Sequence, residues 1–260
     1  MIYLTDLKKG QTGKIELFKP YGLTPKDIVD IAIDTTCAQK GSFSGRLDPM
    51  ACGCINIYLD SACLTARHDD RLDKTYRFKM GIGIQSTSND LLGIPTIYNS
   101  DEIIVYKLEK RVARFLDTLK NSVYIQKMPI HSSYQVRNVD NLKGPLWWWA
   151  KNNRIDEVEI PSFPRKLYNF TIKNMEYQSL GSIARLAIDR IRLINLKHNF
   201  NQLEIIDLWK GFLNNSEDVA IFEMEISVSS GFYVRQLVKD IGIELGLKTI
   251  TIEIERLSYL

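Results

Sequence analysis

Apolar and polar residues alternate along Gly13–Lys19, GKIELFK, as they do in a half-buried strand, and the run stops at the turn residues Pro20-Tyr21-Gly22. Thr24 stands where a helix N-cap belongs, with Pro25 at the first helical position. The spacing predicts a helix over Pro25–Ala38, with Ile28, Val29, Ile31, Ala32 and Thr35 on its buried side. Residues 40–53, KGSFSGRLDPMACG, are broken by Gly, Ser and Pro and read as a loop. Ile55–Leu59 reads as a buried strand and Ala62–Arg71 as a short helix. Lys74–Ile82 alternates again, with Tyr76, Phe78 and Met80 on one face, and a polar loop follows over Gln85–Gly93. Glu102–Lys120 has helical spacing, with Ile103, Leu108, Val112, Phe115, Leu116 and Leu119 apolar.

The second half is less regular. Ser122–Pro161 mixes Tyr124, Tyr134, Trp147, Trp148 and Trp149 with Lys127, Arg137, Lys143, Lys151 and Arg154. Lys166–Glu176 and Ala220–Val228 read as strands. Phe232–Leu245 is an amphipathic helix ending at Gly246, which suits the left-handed residue after a helix. Thr249–Ile254 is β-branched and predicts a final strand. Between these, residues 180–220 are ambiguous: Leu203–Leu213 fits a helix, beside segments carrying Arg185, Arg190, Arg192 and Lys197. Strands and helices interleave irregularly, with hairpin-like neighbours, and no period of repeat length appears. That predicts an α+β fold with a mixed sheet flanked by helices, not a doubly wound one.

The length of 260 residues suits one large domain, and this reading treats residues 1–260 as a single catalytic domain. The 34 Lys and Arg against 31 Asp and Glu leave a net charge of +3, which permits a polyanionic partner without demanding one. Cys37, Cys52, Cys54 and Cys63 form no CxxC pair, and no histidine pair has zinc-ligand spacing, so reduced buried thiols and no metal are expected. The first residues lack a basic segment followed by an apolar one, and no apolar run approaches a membrane span. The expectation is an intracellular protein, cytoplasmic first, with nucleus and organelle left open, and no membrane partner.

Chemistry concentrates at Ser44-Gly45-Arg46-Leu47-Asp48-Pro49-Met50-Ala51-Cys52-Gly53. An aspartate before proline is held extended, and flanking glycines allow tight turns and close approach of a ligand. A carboxylate so presented can act as nucleophile or general base. Taken alone, the same pattern is satisfied by an Asx-turn that only shapes a loop.

The wider pattern resembles the TruB family of pseudouridine synthases. GRLDPMACG is similar to that family's G-x-L-D-P-x-A-x-G motif, and Lys19-Pro20-Tyr21-Gly22 to its K-P-x-G segment. Asp73-Lys74-Thr75-Tyr76-Arg77 resembles its K-x-Y motif, and the polar stretch Gly83–Gly93 its following loop. Met128-Pro129-Ile130-His131-Ser132-Ser133 and Gly144–Lys151 resemble two further blocks. Ser230-Gly231-Phe232-Tyr233-Val234-Arg235 resembles the K-G-T-Y-I-R motif, and Asp240-Ile241-Gly242 its D-L-G. The blocks stand in family order over nearly the whole chain.

The resemblance implies the pseudouridine synthase fold, with a mostly antiparallel central sheet and an RNA-gripping insertion, or thumb, over about 122–161. It implies isomerisation of uridine to pseudouridine in RNA without a cofactor, the target nucleotide being flipped out of its stack. Asp48 matches the catalytic carboxylate and Arg235 the arginine that pairs with it. Tyr76 and Ile254 match the residues on the two sides of the flipped base, and Tyr233, Phe43, Lys19 and Asp90 are expected beside the substrate. The implied partner is RNA, the T-arm of tRNA first (uridine 55 in the standard tRNA scheme), with a monomeric protein and no protein partner expected. Alternatives are a TruB-like protein that binds and folds tRNA without catalysis, and the same chemistry on rRNA or mRNA.

Three departures stand out. Phe43 takes the place of the family's usual histidine, His131 that of a tyrosine, and Gln135 that of a common lysine. Residues 180–220 form an extra segment, expected to be a surface insert in preference to an added RNA contact. The chain ends soon after Ile254, and no C-terminal RNA-binding domain is expected.

Overall fold

The computed structural model describes residues 1–97 and 105–260. The first half holds β1 (Gly13–Lys19), α1 (Pro25–Thr36), β2 (Gly41–Ser44), β3 (Cys52–Leu59), α2 (Ala66–Asp69), β4 (Lys74–Ile82), β5 (Ile84–Ser86), β6 (Pro95–Ile97) and α3 (Val105–Lys120). The middle holds β7 (Tyr124–Lys127), β8 (Gln135–Arg137), β9 (Lys143–Pro145), α4 (Leu146–Lys151) and β10 (Ser162–Arg165). The rest is β11 (Leu167–Ser179), α5 (Leu180–Arg192), α6 (Gln202–Lys210), β12 (Asp218–Val228), α7 (Val234–Leu245) and β13 (Thr249–Tyr259).

The central sheet runs β1-β3-β13-β4-β12-β11, with β2 also on β3. Only the short β13–β3 contact is parallel; the other pairs are antiparallel. The mixed, mostly antiparallel sheet of an α+β fold is therefore present. Alternation along β4 and β12 explains the layering: Tyr76, Phe78, Met80, Met224 and Ile226 enter one buried cluster with residues of α3 and α7. A second cluster joins Ile221, Ile250 and Ile252 to α5 and α6. A third packs α1 on β1 and β3.

Several boundaries move. The helix predicted to Ala38 ends at Thr36, because Cys37 turns left-handed at φ 62°, and Thr36 is buried where Thr35 was placed. Its start is as read: the Thr24 hydroxyl accepts from the Asp27 amide, and the Asp27 carboxylate accepts from the Thr24 amide. The stretch predicted as loop over 40–53 contains strand β2 and the start of β3, so the true loop is residues 45–51. The helix predicted over Glu102–Lys120 is present from Val105; Ile103 and its neighbours lie outside the described residues.

The largest change concerns residues 180–220. They form two packed helices, and Ile183, Ala184, Ala187, Ile188, Ile191 and Trp209 are buried against the sheet. Helical spacing put an apolar stripe on α5, but its Gly181 and basic residues masked it. This segment is a core layer as much as a surface one.

Candidate active site

Asp48 sits in the loop between β2 and β3, with its side chain 36% exposed. The residues around it are tied to different layers. Leu47 and Ala51 enter the cluster with α7, Met50 enters the cluster with α5 and α6, and the Ala51 amide donates to the Asp48 carbonyl at 3.0 Å. Burial of Leu47 and Met50 on either side leaves Asp48 partly exposed between them.

Arg235 arrives from the first turn of α7, 187 residues away. Its side chain is 3% exposed, and its Nε donates to Asp48 Oδ2 at 2.7 Å. Nη1 donates to the Ser88 carbonyl at 2.8 Å and Nη2 to the His131 carbonyl at 3.4 Å. Asp90 Oδ2 lies 3.5 Å from Nε, while Asp90 Oδ1 accepts from Ser88 Oγ at 2.5 Å and the Leu92 amide at 3.0 Å. Burial pushes Asp90 up and the Asp48 charge adds to it, against the pull of Arg235. Burial opposes the Arg235 charge, but the two carboxylates more than restore it. A guanidinium anchored this way fixes the orientation of Asp48 and keeps an anion beside it tolerable.

The helix that carries Arg235 is itself clamped. Gln126 of β7 accepts from the Tyr233 amide at 2.8 Å through Oε1 and donates to the Tyr233 carbonyl at 3.0 Å. Tyr124 donates to Asp240, which also accepts from Gln236 Nε2 at 2.8 Å. Gln126 and Gln236 are positioning groups that sequence reading did not single out; a buried glutamine has no periodic signature.

Behind the loop, Lys19 is fully buried, and its ammonium donates to the carbonyls of Pro20 at 3.0 Å and Leu23 at 2.7 Å. Burial pulls Lys19 down to about 7, with the Asp48 charge acting in the opposite direction. The Gly22 amide donates to the Pro49 carbonyl at 2.9 Å, so the Lys19–Gly22 turn holds the loop directly. Lys19 and Asp90 are expected from the sequence beside the substrate; both are buried, and they act on the loop and its arginine from inside. Arg256, also fully buried, donates from Nε to Cys54 O at 2.6 Å and from Nη1 to Gly45 O at 2.9 Å. Its place two residues after Ile254 on β13 is the only sequence clue to that role.

Tyr76 and Ile254 are each 6% exposed and belong to the same cluster as Leu47, Ala51 and Phe232. They form an apolar floor next to the loop. Tyr233 is half-buried; burial and the nearby Asp48 charge push its hydroxyl up. Phe43, on β2, is half-buried against the α1 cluster, with the Arg46 guanidinium 5.9 Å from its ring centre. It lies on the α1 side of the loop, away from the Tyr76 cluster.

A cavity of about 400 Å³ opens between Arg46 of the loop and Ser133, Tyr134, Gln135 and Tyr233. Its far wall belongs to the 122–161 segment, a small unit with its own core of Met128, Val136, Leu146, Trp149 and Val158. The three tryptophans divide: Trp149 is fully buried and donates to Gly144 O at 3.2 Å, Trp148 packs edge-on against it, and Trp147 is 43% exposed. His131 lies where burial and Arg235 pull it down to about 4, so it is neutral near pH 7. Among the described residues no three His, Cys, Asp or Glu side chains group as metal ligands do. No described helix is long and apolar enough to cross a membrane.

Comparison with known proteins bears on the family and the fold. The profile described as TruB family pseudouridylate synthase (N terminal domain) fits residues 34–188, more than half of the chain. The "tRNA pseudouridine synthase B" of Staphylococcus saprophyticus is 26% identical over 238 residues, covering 90% of this chain and 62% of that protein. The protein of the same name from Clostridium tetani is 24% identical over 244 residues, covering 94% and 66%. The chain thus spans about three fifths of the length of the curated relatives it matches. Among solved structures, a chain of a Cbf5-Nop10-Gar1 complex superposes with a TM-score of 0.55 at 18% identity, over 96% of this chain and 49% of that one, which speaks to the fold. The family profile, set over the loop that presents Asp48 and the polar loop that anchors Arg235, leads to one assignment: the chain belongs to the TruB family of pseudouridylate synthases.

Proposed function

We propose that this protein is an RNA pseudouridine synthase that isomerises uridine to pseudouridine, with the T-loop uridine of tRNA as its substrate. The observation that carries the reading is the Asp48–Arg235 pair. A carboxylate one-third exposed, two residues along the loop from the cavity-lining Arg46, is held at 2.7 Å by a guanidinium that is almost wholly buried. Such a carboxylate is oriented by its arginine while part of its surface stays open to a ligand. The reaction breaks the bond from N1 of the base to C1′ of the ribose and forms a bond from C5 to C1′; the proton on C5 leaves and N1 gains one, so the product is an isomer. Asp48 serves either by attacking the sugar or by taking a proton from it, and both routes need one carboxylate at the ribose.

The surroundings fit a flipped nucleotide. Tyr76 and Ile254 supply an apolar floor for a uracil face, and Tyr233 and Arg46 line the entrance. Unstacking the target costs a few kcal/mol, which an unpaired loop base lowers. Exposed Lys127 and Lys143 on the 122–161 segment offer phosphate contacts. The names of the relatives favour tRNA over rRNA or mRNA as the substrate.

Asp48→Asn tests the reading. Pseudouridine formation in a tRNA transcript should vanish, while the transcript binds with unchanged affinity. Persistent pseudouridine in the variant would remove Asp48 from the chemistry. A wild-type protein that binds tRNA and makes no pseudouridine would favour the RNA-folding alternative.

A further inference from the structure

Helices α5 and α6 take no part in the chemistry just described, yet they reach the back of the Asp48 loop at several points. Met50, two residues past Asp48, is 4% exposed within their apolar cluster. Leu193, just past α5, presses on the turn before α1: a methyl added at Gly22 would sit 2.4 Å from Leu193 Cβ. Lys197 and His198 close on Asp27, at the start of α1, at 3.0 and 2.8 Å. Gly22 in turn donates to Pro49. The helix pair therefore touches the loop both directly and through the turn that holds it.

Arg190 is where these contacts meet. It stands near the end of α5 with only 11% of its side chain exposed. The guanidinium lies 3.9 Å from the centre of the Tyr21 ring, in the Lys19–Gly22 turn. The hydroxyl of the half-buried Tyr21 interacts with the side chain of Cys52, the residue that opens β3 after the loop. On its other side, Arg190 donates from Nη1 to the Ile252 carbonyl at 3.0 Å and from Nη2 to Glu253 at 2.9 Å. The register of β13 against β4 shifts between Thr251 and Glu253, so Ile252 is the bulged residue. Downstream of that bulge come Ile254, in the floor, and Arg256, which grips Gly45. One flat cation thus joins the turn that pins Pro49, the strand that follows the loop, and the bulge that aims Ile254 and Arg256.

We infer that Arg190 is a positioning residue for the catalytic loop, setting through Tyr21 and the β13 bulge where Asp48 presents its carboxylate. The inference rests on the reading that Asp48 is the catalytic carboxylate. Lysine cannot replace this arginine, because an ammonium cannot lie flat on the ring while donating in two fixed directions.

Arg190→Lys is the test, since it keeps the charge and the helix and removes only the planar fork. In pseudouridine formation on a tRNA transcript, kcat should fall roughly 10- to 100-fold, the scale of a misplacement near 1 Å, with KM within about twofold. Exchange of the Gly22 amide proton, which reports the bond to Pro49, should accelerate about tenfold while the core amides of β4 and β12 keep their protection. Tyr21→Leu removes the ring beneath the guanidinium; it should give a similar kcat loss and combine with Arg190→Lys less than additively. An unchanged kcat, a loss confined to KM, or additive losses would overturn the inference. If the wild-type protein forms no pseudouridine, the proposed activity fails on its own account. The Gly22 exchange rate then still decides whether Arg190 holds the loop, and an unaltered rate overturns it.

Discussion

Replacing Arg235 with methionine isolates the electrostatic centre of the site. Methionine keeps most of the buried volume, so the change is mainly the loss of charge and donors. Two carboxylates then lose their cation, and their situations differ. Asp48 is 36% exposed and is rehydrated at little cost. Asp90 is 6% exposed and keeps only Ser88 Oγ and the Leu92 amide. The carbonyls of Ser88 and His131 lose their guanidinium donor as well. Removing one partner of a buried ion pair costs about 3–5 kcal/mol. At about 2–4 °C per kcal/mol for a chain of this size, the melting temperature should fall by roughly 6–20 °C. Urea unfolding followed by tryptophan fluorescence, and thermal unfolding by circular dichroism, read the two quantities. Adding Asp90→Asn removes the buried carboxyl left without its arginine and should recover about 1–3 kcal/mol in the Arg235→Met background. A loss below about 1 kcal/mol, or no recovery from the second change, would refute the claim that Arg235 compensates the buried Asp90 carboxyl.

Stability should rise with pH from about 7 to about 9. Burial pulls Lys19 down to about 7 and Lys74 to about 8 from 10.5, so in that window the unfolded chain binds more protons than the folded one. Above about 9 the rise should flatten, because burial holds the Cys54 thiol up to about 12 while the unfolded thiol ionises near 9, which offsets one of the two lysines. Urea midpoints measured from pH 6 to 10 check both arms, and a fall between 7 and 9 would contradict the lysine assignments. Gly53→Ala should cost more than about 3 kcal/mol, because Gly53 has φ 112° and an added methyl would lie 2.2 Å from the Arg256 carbonyl oxygen. A urea midpoint near that of the wild type would show that the β3–β13 seam can open without penalty.

Much of this protein is legible along the chain because its information is local. Alternation at Gly13–Lys19 and Lys74–Ile82, the Thr24-Pro25 start of α1 and the Gly246 end of α7 each rest on backbone geometry within a few residues. The motif blocks likewise singled out Asp48, Arg235, Tyr76 and Ile254 as candidates, and the structure brings Asp48 and Arg235 together. Local signals fail where burial is decided by distant partners. Residues 180–220 read as a surface insert because nothing nearby says that Ile183 and Trp209 meet the back of the sheet, nor that Arg190 lies on Tyr21. Lys19 and Asp90 read as substrate contacts because a charged side chain carries no mark of burial until its carbonyls or its arginine are in place. The candidates for the reacting groups were thus offered by the sequence. How Asp48 is held, by a cation from 187 residues away and a helix pair behind the loop, is a property only of the packed chain, because hydrogen bonds and ion pairs gain their strength where tertiary contact excludes water.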